Sequence, residues 1–288
     1  MDSLPDVSII TPYRNAAGFL PQLVQTLRQQ SHGTWESLLI DDQSSDGGPE
    51  LLARLTAGDR RFRMLTLPDR PSGESDQRFP AIPRNVGLAH ATAPLVAFLD
   101  VDDLWHPRKL ERQLAFHAAA GCDLSVTAYG RFRELNQPVE ALRCPPGELS
   151  RAELRQRNVV PLLTVLIRRE LLGAGFTATH HEDYLQWLNL QRDAPGLRYG
   201  CLQEVLACYR LHPGNLSHRR PSLLVWTYQV FRLHGMGHRR SLIQLMRWGF
   251  RHGVSLWRES RQRQLGLPTA ASLLAAPEPL LLTAAARW

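Results

Sequence analysis

The chain has 288 residues, 43% of them hydrophobic, and a formal net charge of +7. This length and composition are typical of a globular protein with a sizeable core, and they predict one main domain with an appendage. No apolar run reaches about 18 residues and the N-terminus leads into a strand-like segment, so we expect no signal peptide, no membrane-spanning helix and a cytoplasmic location. The four cysteines lack metal-knuckle spacing and are expected to be free thiols.

Strand-like and helix-like segments alternate through the first hundred residues. Strands are predicted at residues 7–11, 37–40, 62–67 and 95–97, and helices at 20–27, 49–55 and 82–88. This alternation predicts an α/β fold with a parallel sheet, in which ligands bind beyond the carboxyl ends of the strands. Thr11, Asp42 and Asp102 would lie on that edge. Residues 68–80 form a polar loop that could act as a lid or simply connect two elements.

Three carboxylates follow the strand at 95–97, in the stretch Phe-Leu-Asp-Val-Asp-Asp-Leu-Trp-His-Pro at residues 98–107. Their mutual repulsion is costly unless a cation lies among them, and hard divalent cations take oxygen ligands of this kind. Asp100, Asp102 and Asp103 therefore indicate a diphosphate-bound Mn²⁺ or Mg²⁺. A solvated loop in which Asp100 or Asp103 caps the next helix is the alternative.

Two other charged features lie near the same predicted edge. Arg84 would supply a fixed cation there, although its position also fits a structural salt bridge. Glu182 and Asp183 begin a predicted helix at 182–190, where the helix dipole would also stabilise a simple capping pair. Further strands are predicted at 124–129, 164–167 and 205–212.

The positive charge is concentrated near the C-terminus. Residues 1–214 hold 23 Lys and Arg against 25 Asp and Glu, a difference of −2, whereas residues 215–263 hold 10 Arg against one Glu, a difference of +9. Nucleic acid and an anionic membrane could both attract such a segment, but the chain has no recognisable nucleic-acid-binding motif. We therefore expect no nucleic-acid partner.

The C-terminal segment also has a helical pattern. One predicted face carries Leu242, Leu245, Met246, Gly249, Gly253 and Leu256, and another carries Arg240, Arg247, Arg251 and Arg258. Such a helix could dock on its own domain or lie on the inner face of the plasma membrane through residues 222–263. We therefore divide the chain into a main domain at 1–217, a basic amphipathic helical extension at 218–263 and a weakly ordered tail at 264–288, since prolines interrupt any helix in the tail.

Eight motifs occur in a defined order along residues 6–217. They are VSIITPYRN at 7–15, LIDDQSSDG at 39–47, PRNVGLA at 83–89, FLDVDD at 98–103, VLIRR at 165–169, GF at 175–176, EDYLQWL at 182–188 and YRLHPGNLS at 209–217. Together they resemble the family-2 glycosyltransferases, which have the GT-A nucleotide-sugar fold and mostly invert the anomeric centre. The resemblance implies transfer of a sugar from a nucleoside-diphosphate sugar, with UDP expected, to an acceptor hydroxyl in glycan or exopolysaccharide synthesis. A glycan or lipid-linked acceptor is expected.

The resemblance also implies roles for individual residues. Asp42 would accept the uracil N3–H, with Thr11, Pro12 and Tyr13 beside the base; Arg84 would face the diphosphate and Asp100 the ribose or a metal-bound water. Asp102 would be the main metal ligand, and Arg210 and His212 would lie in a loop that closes over the diphosphate, with His212 reaching the metal. Asp183 would be the general base that deprotonates the acceptor hydroxyl during a direct displacement.

The sequence departs from the family pattern at a few points. Gln43 replaces a common glycine, Asn189 replaces a frequent arginine, and the spacing from Phe176 to Glu182 is short.

A non-catalytic nucleotide-sugar-binding module is one alternative function. A haloacid-dehalogenase-like phosphatase is another, but it needs a distant lysine, and Lys109, the only lysine in the chain, lies in the helix adjacent to the acidic cluster.

Overall fold

The computed structural model describes residues 4–68, 79–213, 220–262 and 266–282. Most of the predicted loop at 68–80 and the last residues of the motif at 209–217 lie outside these residues. The helices of the described residues are α1 Leu20–Arg28, α2 Gly48–Thr56, α3 Ala81–His90, α4 Lys109–Ala119, α5 Arg151–Leu154, α6 Glu182–Asp193, α7 Arg220–Leu233, α8 His238–Gln262 and α9 Ala270–Ala275.

The strands of the described residues form one mixed sheet. They are β1 Val7–Tyr13, β2 Trp35–Asp41, β3 Phe62–Thr66, β4 Leu95–Phe98, β5 Leu104–Trp105, β6 Leu124–Phe132, β7 Ala141–Arg143, β8 Leu166–Arg168 and β9 Tyr199–Arg210. The order across the sheet is β3-β2-β1-β4-β8-β6-β9-β5, and β7 pairs with β6. The fold is α/β with helices flanking the sheet, as predicted.

The first four strands build the parallel part of the sheet. β1 pairs in parallel with β2 and β4, and β2 pairs in parallel with β3. β2 is buried along its whole length, as expected for a parallel sheet covered on both faces. A Cβ at Gly87 would lie 2.7 Å from Cγ2 of Ile10 and 2.8 Å from Cδ1 of Ile40, so the missing side chain lets α3 lie directly on the sheet.

The second half of the sheet mixes antiparallel and parallel strand pairs. β8 pairs antiparallel with β4 and β6, while β6 and β9 pair in parallel with a register shift near Ala128. β5 pairs antiparallel with β9, which brings the end of β9 next to the residues that follow β4. This pairing places the two chain segments of the candidate site side by side.

The extension packs on the main domain through one side. Val230 and Phe231 of α7 are buried in the core that also contains Tyr184, and Leu245 of α8 packs against this core. Gln244 of α8 is buried, and its Nε2 donates to the carbonyl of Arg155. In the part of the chain that the structure describes, no helix is both long and apolar enough to cross a bilayer.

The expectation of a weakly ordered tail is wrong for residues 266–282. Ala270, Leu273 and Leu282 are buried in a cluster with β6 and β9 residues. The hydroxyl of Thr269 caps α9 by accepting from the backbone N–H of Ser272 at 3.0 Å. The prolines do end the helix, but the extended chain beyond them bridges β9 through a pairing of Glu204 with Leu281.

Candidate active site

The ends of β1 and β2 form one side of the candidate site. The backbone N–H of Asp42 donates to the carbonyl of Tyr13 at 2.9 Å, so Asp42 lies beside the end of β1. Asp41 is buried, whereas Asp42 is partly exposed at the carboxyl edge of the sheet. The structure therefore places Asp42 on the predicted edge.

The three β1 residues assigned to this edge differ in exposure. Thr11 is fully buried, and its hydroxyl has no hydrogen-bond partner within the described ranges. Pro12 is half-buried and Tyr13 is buried, with burial and then the charge of Asp41 raising the pKa of the Tyr13 phenol. Of these three residues, only Pro12 is exposed enough to contact a ligand.

The acidic cluster after β4 meets the end of β9. His212 Nε2 lies 2.6 Å from Oδ2 of Asp102. Burial raises the pKa of the Asp102 carboxyl, the charge of Asp100 raises it further, and the hydrogen bond with His212 opposes both. Asp102 and His212, the two residues expected to bind the metal, thus lie in direct contact.

Arg210 joins the same loop through its backbone and its guanidinium. Its N–H donates to Oδ1 of the buried Asp103 at 2.8 Å, and its Nε donates to the carbonyl of Asp102 at 2.8 Å. Nη2 donates to Oε1 of Gln22 at 2.6 Å. Burial, followed by the charges of Asp102 and Asp100, raises the pKa of Asp103 well above its usual range. Arg210 therefore holds the acidic loop in place, and its contact with a diphosphate stays a prediction.

The donor atoms of this cluster suit a divalent cation. Asp102 and His212 offer a carboxylate and an imidazole at one point, and Asp100 lies nearby with its side chain 38% exposed. No set of three or more His, Cys, Asp and Glu residues arranged to hold a metal is found among the described residues. A cation here would relieve the repulsion between desolvated carboxylates and would need further oxygen ligands, which a diphosphate has.

Arg84 occupies a different place from the one expected. Its guanidinium is buried between two carboxylates: Nη2 donates to Oδ1 of Asp100 at 2.7 Å, and Nη1 donates to Oε1 of Glu182. The residue is only 5% exposed. This is the salt bridge that its position in the sequence also allowed, and it ties the acidic loop to the start of α6.

Two neighbouring carboxylates at the start of α6 have different environments. Glu182 is buried, and this burial raises the pKa of its carboxyl to about 7 although Arg84 opposes the shift. Asp183 is partly exposed, and its Oδ2 accepts from Nδ2 of Asn158 at 2.8 Å. Asp183 is therefore oriented but accessible, whereas Glu182 is enclosed.

The extension contributes an aromatic side chain to the loop before α6. Trp226 of α7 stacks on His180 with ring centroids 4.0 Å apart and meets His181 edge-on at 5.6 Å. His181 has a φ of 56°, an uncommon conformation for a residue other than glycine. Trp226 thus packs against both residues that precede Glu182 and Asp183.

Sequence reasoning missed three side chains that shape the site. Asn158, Asn85 and Gln22 each fix a functional residue or segment through a hydrogen bond. Asn85 lies in a recognised motif, so the motif could have directed attention to it. Asn158 comes from an irregular segment and Gln22 from an ordinary amphipathic helix, and neither carries a local signal.

Comparison with known proteins decides the class of this site. A family model described as Glycosyl transferase family 2 matches residues 8–172, more than half of the chain. The chain belongs to glycosyltransferase family 2. It is therefore a glycosyltransferase.

Two relatives of this glycosyltransferase align over most of their own length. The putative teichuronic acid biosynthesis glycosyltransferase TuaG of Bacillus subtilis is 31% identical over 230 residues, which are 79% of this chain and 88% of the relative. The UDP-Glc:alpha-D-GlcNAc-diphosphoundecaprenol beta-1,3-glucosyltransferase WfgD of Escherichia coli is 29% identical over 213 residues, 73% of this chain and 79% of the relative.

Solved structures show that the fold is GT-A. TarS 1-349 of S. aureus in complex with UDP-GlcNAc superposes with a TM-score of 0.63 at 20% identity, covering 86% of this chain and 72% of that chain. The mannosyltransferase PcManGT of Pyrobaculum calidifontis, in complex with GDP-Man and Mn²⁺, gives 0.61 at 17% identity, covering 95% of this chain and 79% of that chain.

Proposed function

We propose that this glycosyltransferase moves a sugar from a UDP-sugar to an acceptor hydroxyl with inversion, in the synthesis of a cell-surface or extracellular glycan. The observation that carries the proposal is that two adjacent carboxylates differ in burial and in hydrogen-bond partner. Glu182 is buried against Arg84, whereas Asp183 is partly exposed and oriented by Asn158. An accessible, oriented carboxylate next to the acidic loop is what a general base needs.

The reaction then follows from the chain's own groups. The Asp183 carboxylate takes the proton of the acceptor hydroxyl while that oxygen forms a bond to the anomeric carbon. The bond from the anomeric carbon to the diphosphate oxygen breaks, and its electron pair leaves with the nucleoside diphosphate. Because attack and departure occur on opposite faces of the sugar, the configuration inverts, and no covalent enzyme intermediate forms.

The donor half of the site offers groups for the metal, the nucleotide base and the ribose. Asp102 and His212 would hold Mn²⁺ or Mg²⁺, which when bound neutralises charge on the diphosphate. Asp42 would accept from the base, with Thr11, Pro12 and Tyr13 at the end of β1 beside it, and Asp100 would face the ribose or the metal. Arg210 would support the diphosphate by fixing the Asp102 loop.

The phosphatase alternative fails on the position of its lysine. Lys109 is fully buried, and its Nζ lies 3.6 Å from the centroid of the Trp105 ring. Burial also lowers the pKa of this amine well below its usual range. Lys109 is therefore enclosed within the fold and cannot contact a phosphoryl group at the sheet edge.

We also propose that α7 and α8 contact an anionic membrane, where a lipid-linked acceptor would be presented. Large apolar side chains are exposed along both helices: Leu224, Val225, Leu233, Leu242, Ile243, Met246 and Phe250. On α8, Leu242, Met246 and Phe250 repeat every four residues and form one outward stripe. Residues 222–251 contain five arginines and no acidic residue, which favours anionic lipid. The side chains of Leu256 and Arg258, also assigned to this helix, lie outside the described set.

The function is tested by incubating the full chain with Mn²⁺ and a panel of UDP- and GDP-sugars, with and without undecaprenyl-diphosphate-linked sugar as acceptor. Formation of a glycosylated lipid from one UDP-sugar is the expected result. Release of UDP in the absence of acceptor should be much slower. Binding of UDP-sugars without any turnover would favour the non-catalytic binding module, and transfer only from a GDP-sugar would overturn the uracil assignment of Asp42.

A further inference from the structure

Two consecutive side chains of α3, Arg84 and Asn85, hold both ends of the segment that leads to Asp183. We infer that Arg84 and Asn85 are positioning residues for the transfer step, which fix the base-bearing segment against the acidic loop, and that Arg84 does not bind the diphosphate. This inference rests on the proposed role of Asp183.

Asn85 clamps the beginning of the segment. Its Oδ1 accepts from the backbone N–H of Phe176 at 2.7 Å, and its Nδ2 donates to the carbonyl of the same residue at 2.8 Å. Gly175 has a φ of +87°, and a Cβ there would lie 2.4 Å from Oδ1 of Asn85. One side-chain amide thus satisfies both backbone groups of Phe176, and only glycine leaves room for it.

Phe176 itself is anchored in the core. Its ring meets Phe98 edge-on at 5.4 Å and Trp187 edge-on at 6.5 Å. Phe98 is the last residue of β4, directly before the acidic loop, and Trp187 lies on α6. The contact made by Asn85 therefore sets where the chain leaves the core before it turns towards Asp183.

Arg84 clamps the other end. Its two terminal nitrogens reach Glu182, the residue directly before Asp183, and Asp100, two residues before Asp102. A planar guanidinium can hold two carboxylates in a fixed relative geometry, whereas a lysine ammonium can only approach one closely. The side chain is buried, so this geometry is shielded from water.

Helix α3, which carries both Arg84 and Asn85, is held rigidly on the sheet. α3 lies on the sheet at Gly87, where a Cβ would collide with Ile10 and Ile40. Because the helix cannot move away from or along the sheet without breaking this contact, Arg84 and Asn85 have fixed starting points. The sheet edge that would bind the donor and the segment that carries Asp183 are therefore both held in position by α3.

The decisive variant is Arg84→Lys, which keeps the charge but not the fork. Positioning predicts that kcat for transfer falls at least tenfold while the dissociation constant of UDP with Mn²⁺, measured by calorimetry, stays within about twofold of wild type. Arg63→Lys is the matched control, because Arg63 also pairs with a largely buried carboxylate, Glu36, at 2.6 Å but away from the site. It should change neither quantity.

Other results would overturn the inference. Weakened UDP binding at unchanged kcat would show that Arg84 acts on the donor, directly or through Asp100, and not on the base-bearing segment. A lower melting temperature with unchanged kcat per folded molecule would show that the ion pair only stabilises the fold.

Two further measurements keep the inference testable if Arg84→Lys folds poorly. Asn85→Asp keeps the acceptor for the Phe176 N–H but loses the donor to its carbonyl, and it should also lower kcat with UDP affinity retained. Hydrogen–deuterium exchange of residues 176–186 should be faster in both variants than in wild type, and this readout needs no turnover. If wild type transfers no sugar, the proposed function fails, but hydrogen–deuterium exchange still tests whether Arg84 and Asn85 hold the segment. Unchanged exchange in both variants would refute the positioning inference itself.

Discussion

His212 Nε2 lies 2.6 Å from Oδ2 of Asp102, although the two residues are 110 positions apart in the chain. The contact exists because β9 runs beside β5 and delivers its end to the loop that follows β4. Two strands that are distant in sequence therefore supply the two ligand types of one candidate cation site. Neither residue would offer a suitable site alone.

Replacement of Asp102 by asparagine should remove most of the metal-dependent part of UDP binding. The substitution keeps the shape of the side chain but removes the charge that a hard cation requires. Calorimetry of UDP with and without Mn²⁺ measures this part directly. Asp123→Asn, at a surface ion pair with Arg198, is the control and should bind normally. Unchanged Mn²⁺-dependent affinity in Asp102→Asn would exclude Asp102 as a ligand.

Glu182 should make stability depend on pH. Its pKa is raised to about 7 by burial, against an ordinary value of 4.5, so between these values the folded chain holds a proton that the unfolded chain has released. The free energy of unfolding should therefore decrease as pH rises through this window, by at most about 1.4 kcal/mol per pH unit from this group. Below pH 4.5 the contribution is fully present, and above pH 7 it is lost.

Denaturant unfolding of wild type and Glu182→Gln across this pH range measures the effect. The glutamine cannot titrate, so the difference in unfolding free energy between the two proteins should change between pH 4.5 and pH 7 and become constant at higher pH. A difference that is constant over the whole range would mean that Glu182 stays ionised beside Arg84.

The outward stripe of α8 should govern binding to lipid. Met246 and Phe250 are 68% and 74% exposed, and replacing both with serine should greatly reduce sedimentation with vesicles that contain phosphatidylglycerol. Added salt should weaken wild-type binding, because the neighbouring arginines contribute on the order of 1 kcal/mol each. Met64→Ser, at an exposed position on β3, is the control.

Two outcomes would contradict the membrane proposal. Equal sedimentation with neutral and anionic vesicles, insensitive to salt, would remove the role of the arginines. A concentration-dependent dimer that dissociates in the Met246→Ser, Phe250→Ser variant would show that a second copy of the chain covers this face.

The docked C-terminal segment should contribute to stability without affecting chemistry. Leu273 of α9 is buried beside β6, and Leu273→Ala should lower the free energy of unfolding by about 2 kcal/mol at unchanged kcat. The exposed Leu280 provides the control, since Leu280→Ala should have little effect. If Leu273→Ala and Leu280→Ala unfold alike, residues 266–282 do not pack as described.

The sequence predicted the parallel half of the fold because its signals are local. β2 and β4 each contain a short apolar run that ends at acidic residues, so the position of Asp42 and of Asp102 at the sheet edge could be inferred from pattern alone. β5 and β7 have two and three residues, too few to show a period, and are set by pairing with distant strands. The prolines after α9 correctly marked the end of a helix, but proline content carries no information on docking.

The candidate site was predictable in its residue types but not in all its contacts. Motif order identified Asp102, Asp183, Arg210 and His212, and the structure brings Asp102, Arg210 and His212 together. The partners of Arg84 could not be inferred, because a buried ion pair leaves no trace in hydrophobic periodicity. Asn158 was also missed, because it lies in an irregular segment whose sequence does not indicate a hydrogen bond to Asp183.

The role of Asp183 is tested most directly by measuring kcat for transfer and the affinity for UDP in Asp183→Asn. A general base acts in the chemical step, so kcat should fall by a factor on the order of 10² to 10⁴ while UDP affinity remains nearly unchanged. Glu182→Gln, the adjacent comparison, should retain more activity, because the glutamine Oε1 can still accept from Arg84 and keep the contact that positions Asp183. Near-normal transfer by Asp183→Asn together with loss of transfer in Glu182→Gln would contradict the assignment and move the base by one residue; normal transfer by both would place the base elsewhere.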